Sequence, residues 1–175
     1  MQPKRAFMEL GTQKVMKSTI QKMHKEIERL TADQRELCRV CYQKIEKQPI
    51  PFGLSIMIRL FSNHPQYKDI WPQFKQIPDS SLMHAPELRR HARIYMAGLR
   101  LIINSMNDDD KLETALRGIA QAHVKWHIHK YHLINMLPCV IESFQAKFPM
   151  NVDQVQAWTT LFDVIANLID IFRSH

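Results

Sequence analysis

The sequence predicts an all-α protein. Its 175 residues, 45% hydrophobic and 23% charged, have the size and composition of one folded domain, which excludes collagen-like and disordered chains. Four glycines and seven valines stand beside many leucines, methionines, glutamines, lysines and arginines, and such long side chains favour helices over strands. Apolar residues also recur three and four positions apart along most of the chain, as they do on one face of a helix.

The net charge of +7 is concentrated near the N-terminus. Residues 1–30 contain seven lysines and arginines against three glutamates, an excess of four positive charges. Such a segment is suited to a membrane surface, a nucleic acid or an acidic partner, although a solvated helix face is the simpler interpretation. Because aromatic residues are not interleaved with the basic ones, we expect no nucleic-acid binding.

The cysteines and the apolar runs indicate the compartment. Three cysteines are an odd number, which implies no disulfide framework and favours a reducing compartment, so we expect a cytoplasmic protein. Cys38-x-x-Cys41 lies inside a predicted helix and not at its N-terminus, which favours core cysteines over a redox pair. We identify no secretory signal, and the longest mostly apolar stretch, residues 133–141, is too short to span a bilayer.

The first predicted element is an amphipathic helix within residues 1–29, an extension that precedes a domain of residues 30–175. Its apolar stripe consists of Met16, Ile20, Met23, Ile27 and Leu30. Because this stripe is too apolar to be left in water, we expect the helix to pack on the domain or on a second copy of the chain.

Local signals set the boundaries of the next helices. Thr31 and Gln34 match a capping box that starts a helix. Pro49 and Pro51 separate that helix from the following one. Gly53, near the start of the following helix, allows another helix to approach its backbone closely.

The second half of the chain has weaker landmarks. Residues 62–84 are rich in proline, asparagine, aspartate and serine, and we expect short turns and loop there. Pro86 suits the first turn of a long helix that runs to about Met106. Asp110 with Glu113 is expected to cap the next helix. Two more helices are predicted, one within residues 128–147 around Pro138 and one after Pro149 and Asn151.

Two histidines stand in the apolar stripes of two long predicted helices. The stripe of His91 includes Leu88, Tyr95, Gly98 and Ile102, and that of His123 includes Leu112, Leu116 and Ile119. A buried imidazole needs a partner, and one such histidine alone would be a core residue bonded to a carbonyl group or to water. Two on separate helices favour haem, whose iron most often takes a neutral imidazole. The nearby histidines lack the cysteines or carboxylates of a zinc site.

Residues 30–173 resemble the globin family. Leu30-Thr31-x-x-Gln34 and Glu36-Leu37-x-Arg39-x-x-Tyr42 are similar to a globin first helix, although that family usually has tryptophan at the place of Tyr42. Gly53 and Ala92 fall where two globin helices cross closely. The remaining matches are Leu60-Phe61-x-x-x-Pro65 and Ala157-Trp158.

The resemblance implies a globin fold of about eight helices around haem b (iron protoporphyrin IX). It places His123 at the proximal and His91 at the distal position of the iron. The aromatic residue that wedges the porphyrin falls on Trp71, or on Phe74 if the loop register differs. His127, one turn beyond the proximal ligand, stands where a globin can contact a haem propionate. The other residues implied at the cofactor are Met57, Leu88, Tyr95, Ile119, Ile128 and Met136.

Three functions follow as alternatives. The first is a six-coordinate globin of an invertebrate or neuroglobin-like kind, which serves electron transfer or gas sensing, because His91, Met57 and Tyr95 crowd the distal side. The second is a five-coordinate oxygen carrier. The third is a haem-free interaction module that works through its basic N-terminal helix. The sequence shows no catalytic motif, so we expect no enzyme, and the expected partners are haem, a diatomic gas or redox partner, and a second copy of the chain.

Overall fold

The computed structural model describes the backbone of residues 3–174 and the side chains of residues 13–174, so Met1, Gln2 and His175 lie outside the described residues. This part of the chain is all-α, with nine α-helices and one 3-10 helix and no strand. The helices are α1 Pro3–Ile27, α2 Ala32–Gln43, α3 Pro49–Asn63, a 3-10 helix Pro65–Ile70, α4 Pro72–Lys75, α5 Asp79–Leu82, α6 Pro86–Ser105, α7 Asp109–Lys125, α8 Lys130–Gln145 and α9 Val152–Arg173.

Most helix boundaries have the predicted local cause. The hydroxyl of Thr31 accepts from the Gln34 backbone N–H while the Gln34 side chain accepts from the Thr31 N–H, which is the predicted capping box. Asn151 caps α9 in the same way. The predicted cap of α7 is wrong by two residues, because Asp108 and not Asp110 accepts the backbone N–H of Lys111.

Residues 62–84 differ from the prediction of turns and loop. They fold into the 3-10 helix, α4 and α5, three short elements that the proline and serine content concealed. Tyr67 on the 3-10 helix, Phe74 on α4 and Leu82 on α5 are all buried. Each short element is therefore held by the side chain that it places in the core, and not by its own helical propensity.

Gly53 sits where α3 crosses α6. A methyl group built on Gly53 would lie 2.8 Å from Cγ of Met96 and 3.2 Å from the carbonyl oxygen of Ala92. Only glycine permits this approach, which brings the backbones of α3 and α6 together. The crossing fixes the position of α6, the helix that carries His91.

The last helix forms the centre of the core. α9 packs against α2, α7 and α8, and its Trp158 is fully buried against Phe144, with ring centroids 4.7 Å apart. By length and composition α9 would also be able to cross a membrane, although 56% of its most apolar window is buried inside the fold. Burial of this extent is typical of a helix in a protein core.

The C-terminal end of helix α1 is packed on the rest of the chain. Met23 and Ile27 are buried, and the α1–α2 connection is tied down by the ion pair of Arg29 with Asp163, 2.5 Å apart. Met16 is 59% exposed and Ile20 39% exposed, so the expectation of one covered apolar stripe holds only for its C-terminal half.

Candidate haem site

An apolar cavity lies between α6 and α7. It has a volume of about 330 Å³ and is also bordered by α3, α8, α9 and the short helices between α3 and α6. Eight of the eleven residues predicted at the cofactor line it, namely Met57, Trp71, His91, Tyr95, Ile119, His123, Ile128 and Met136. The volume is within the range of small-molecule and cofactor pockets, and the mostly apolar wall suits a porphyrin.

His123 is oriented by its own helix. Its Nδ1 lies 2.7 Å from the carbonyl oxygen of Ile119, one turn earlier on α7. Because a carbonyl oxygen only accepts, Nδ1 carries the proton and Nε2 keeps a free lone pair. Burial lowers the pKa of His123, which favours the neutral imidazole. This is the arrangement that a metal-binding histidine requires, with one nitrogen held and the other available.

His91 is held by aromatic rings. Its ring meets Trp71 and Phe74 edge-on, with centroids 4.9 Å and 5.5 Å away. Burial, together with the charge that His123 would carry, lowers the pKa of His91 to about 4, so this ring is also neutral at pH 7. No described residue forms a hydrogen bond with its side chain. Neither ring nitrogen of His91 is therefore occupied by a hydrogen bond to a described residue, and either could bind a ligand.

The space beside His91 is crowded. Met57 on α3 is 1% exposed and Ile102 on α6 is 2% exposed, and both line the cavity. Tyr95, one turn after His91, lines it too. The Tyr95 hydroxyl is buried without a hydrogen-bond partner among the described residues, and burial raises its pKa. These three side chains therefore form part of the same cavity wall as His91.

Three residues predicted at the cofactor do not line the cavity. Phe74 lies behind the wall, fully buried against His91 and Trp71, so of these two candidates for the wedge only Trp71 lines the cavity. Leu88 is fully buried in the core, one turn before His91. His127 is exposed, because its φ of 57° turns the chain at the α7–α8 corner and directs its neighbours Trp126 and Ile128 to the cavity instead.

The cavity also has a polar edge that sequence analysis missed. Tyr67 is 5% exposed, and its hydroxyl accepts from Nδ2 of Asn135 at 2.5 Å. The ring of His132 meets Tyr67 edge-on at 4.6 Å, and His132 Nδ1 accepts from the backbone N–H of His129 at 2.8 Å. His132 is half-buried. Its place three residues after the N-cap of α8 was a local signal that the ring turns back to its own backbone.

The far end of α9 supports the same corner. Arg173 donates to the carbonyl oxygen of Ile128 at 2.5 Å. Ile128 is buried on the cavity wall, five residues after His123. The hydrogen bond therefore joins the end of the core helix to the turn that closes the proximal side of the cavity.

Comparison with known proteins identifies the fold and the family. The globin family model matches residues 54–169. Cytoglobin-1 of Oryzias latipes is 28% identical over 140 residues, which cover 78% of this chain and 79% of that protein. In all, thirty-eight curated proteins match this chain at a level that chance does not explain.

Two solved structures show the same fold. The haemoglobin of the botfly Gasterophilus intestinalis superposes with a TM-score of 0.76 at 16% identity, covering 83% of this chain and 99% of that one. A hexa-coordinate haemoglobin of Drosophila melanogaster superposes with a TM-score of 0.72 at 20% identity, covering 80% and 93%. These likenesses, the family match and the cavity with its two histidines lead to one conclusion: the chain belongs to the globin family and is a haem-binding globin.

Proposed function

We propose that His123 and His91 both bind the iron of haem b in the resting protein, which makes it a six-coordinate globin that serves electron transfer or gas sensing. The observation that carries this proposal is the pair of neutral imidazoles, from two different helices, that line one apolar cavity. When bound, haem would supply an iron that His123 and His91 could hold and that changes between the ferrous and ferric states.

The two histidines have different roles. His123 has Nδ1 held by Ile119 and offers Nε2 as the permanent ligand. His91, held only by ring contacts, is able to leave and return. An external ligand competes with His91, so its apparent affinity falls by the fraction of protein in which His91 has left. Met57 and Tyr95 limit the space into which His91 can move.

The other cavity residues hold the porphyrin by apolar contact. We assign this role to Met57, Trp71, Tyr95, Ile119, Ile128 and Met136, and we assign the polar edge at Tyr67 and His132 to the haem propionates. The three cysteines are Cys38, Cys41 and Cys139, and all of them lie outside the cavity wall. A c-type haem, which is bonded to cysteines, does not fit this wall, and we propose haem b as the cofactor.

The resting spectrum tests the proposal. We expect a low-spin six-coordinate spectrum in both oxidation states, and a five-coordinate ferrous spectrum after His91→Leu. The matched control is His84→Leu, which removes an exposed histidine that lies outside this cavity. A ferrous wild-type protein that is already five-coordinate would instead support the alternative function, that of a five-coordinate oxygen carrier.

We further propose the arrangement of the rest of the protein. Residues 1–29 form an extension to a globin domain of residues 30–175, and the exposed apolar side chains Val15, Met16 and Ile20 are suited to contact with a second copy. The free, buried cysteines are typical of a reducing compartment, which supports a cytoplasmic location. We propose a carrier or redox protein without catalytic turnover of a substrate.

A further inference from the structure

A second cavity opens between α3 and the corner that joins α5 to α6. Its volume is about 530 Å³, and it shares no lining residue with the haem cavity. Its apolar part consists of Leu54, Ile58 and Met83. Met83 is 50% exposed, so a large apolar side chain faces water in this groove. The groove is therefore suited to an apolar chain.

The rim of the groove is positively charged. Arg59, His84 and Arg89 line it, and none of the eight lining residues is acidic. Arg89 forms no ion pair with a described residue. Arg59 donates to Glu142 at 3.0 Å through one terminal nitrogen, while its Nε is buried without a hydrogen-bond partner among the described residues. Glu142 thus neutralises Arg59, while Arg89 has no acidic partner among the described residues, so the rim of the groove retains a positive charge.

We propose that this groove binds an amphipathic carboxylate, a medium-chain fatty acid, with its chain on Leu54, Ile58 and Met83 and its carboxylate at Arg89. A guanidinium group binds a carboxylate through two parallel hydrogen bonds, which suits an exposed arginine at the rim of an apolar groove. The volume is that of a small-molecule site. A second copy of this chain, with its net charge of +7, has the wrong sign for this rim.

Methionine methyl groups report the two cavities separately. The haem-loaded protein carries Met83 in the groove and Met57 in the haem cavity. In a titration of protein labelled with carbon-13 at the methionine methyls, we expect decanoate to shift the Met83 signal and to leave that of Met57 in place. A shift of Met57 alone would place the fatty acid in the haem cavity and overturn the proposal, as would the absence of any shift.

The chain length and the charge of the probe test the two parts of the groove. From hexanoate to octanoate to decanoate, the affinity should rise roughly tenfold for each two methylenes, because each buried methylene adds to the transfer free energy. Decanol, which has the same chain and no charge, should bind at least tenfold more weakly than decanoate. Equal binding of decanol and decanoate, or no dependence on chain length, would contradict the proposal.

Substitutions locate the carboxylate. Arg89→Glu should weaken decanoate binding at least tenfold, while Arg93→Glu, the same charge change on an exposed residue of the same helix, should change it less than twofold. An equal effect of both variants would show general attraction to a basic protein and would overturn the site. Met83→Gln, which keeps the length of the side chain, should weaken decanoate more than hexanoate, and an equal loss for both acids would contradict the proposed path of the chain.

Discussion

The proximal and distal walls of the haem cavity hold their histidines in different ways. His123 on α7 has a 2.7 Å hydrogen bond to Ile119 that fixes both its ring and its proton. His91 on α6 has only the edges of Trp71 and Phe74 around it, at 4.9 Å and 5.5 Å. A hydrogen bond specifies one orientation, whereas apolar ring contacts allow the ring to rotate. The difference supports the proposal that His123 is the permanent ligand and that His91 is the one that leaves.

The largest effect is expected on haem retention, from a substitution of His123 on the proximal wall. His123→Ala removes the permanent ligand and should largely abolish haem retention, while His91→Ala should retain haem. Since a cofactor present at a thousand times its Kd stabilises a protein by ~4 kcal/mol, the His123 variant should also melt at a lower temperature. Haem content per chain and the melting temperature measure this. Full haem content with an unchanged spectrum in the His123 variant would remove it from the proximal position.

Acid should destabilise the haem-free protein through the distal wall. Burial lowers the pKa of His91 from 6.5 to about 4, so the unfolded chain binds a proton more readily than the folded one. The free energy of unfolding should therefore fall as the pH drops from about 6.5 to 4, by about 3 kcal/mol for this one group. Urea unfolding at several pH values measures the slope. His91→Leu should flatten it, and an unchanged slope in that variant would exclude His91 as the cause.

The crossing that supports the distal helix should tolerate no methyl group. Gly53→Ala would bring its Cβ to 2.8 Å from Met96 and 3.2 Å from the Ala92 carbonyl oxygen, and we expect a loss of about 1–3 kcal/mol. Gly118→Ala on α7 is the matched control, because nothing lies within 4 Å of the added atom. It should stabilise the protein by roughly 0.5–1 kcal/mol. Equal effects of the two substitutions in urea unfolding would refute the close crossing.

The smallest effect concerns Tyr95. Its buried hydroxyl has no hydrogen-bond partner among the described residues, so Tyr95→Phe removes an unsatisfied polar group. We expect the haem-free protein to keep its stability or to gain up to ~1 kcal/mol. Tyr67→Phe is the comparison, because the Tyr67 hydroxyl accepts a hydrogen bond from Asn135 and its removal should destabilise. A clear loss of stability in the Tyr95 variant would mean that its hydroxyl is satisfied in solution.

The fold and the cavity residues differ in how far the sequence alone predicts them. The all-α class was predicted correctly because helical periodicity and caps such as Thr31 with Gln34 are local signals. The globin fold was predicted correctly because residues 30–173 resemble that family. His91 and His123 stood out because a histidine in an apolar stripe is conspicuous, and both line the cavity; that they bind iron stays a prediction. His127 does not line the cavity, because helical spacing does not extend through a residue with positive φ, and its contact with a haem propionate also stays a prediction.

The polar edge of the cavity was missed for a different reason. Tyr67 and His132 are 65 residues apart in sequence and meet only through tertiary packing, with their rings 4.6 Å apart. The short helices of residues 62–84 are likewise held by core contacts and not by propensity. Contacts of this kind are fixed by the fold as a whole, which periodicity does not describe.

The rate of carbon monoxide binding to the ferrous protein tests the central claim most directly. If His91 must leave before a ligand can bind, the observed rate should level off at high carbon monoxide concentration, at the rate at which His91 leaves. His91→Leu should bind faster, with a rate that rises linearly with concentration. A linear dependence in the unmutated protein, equal to that of the variant, would show an open distal site and contradict the account.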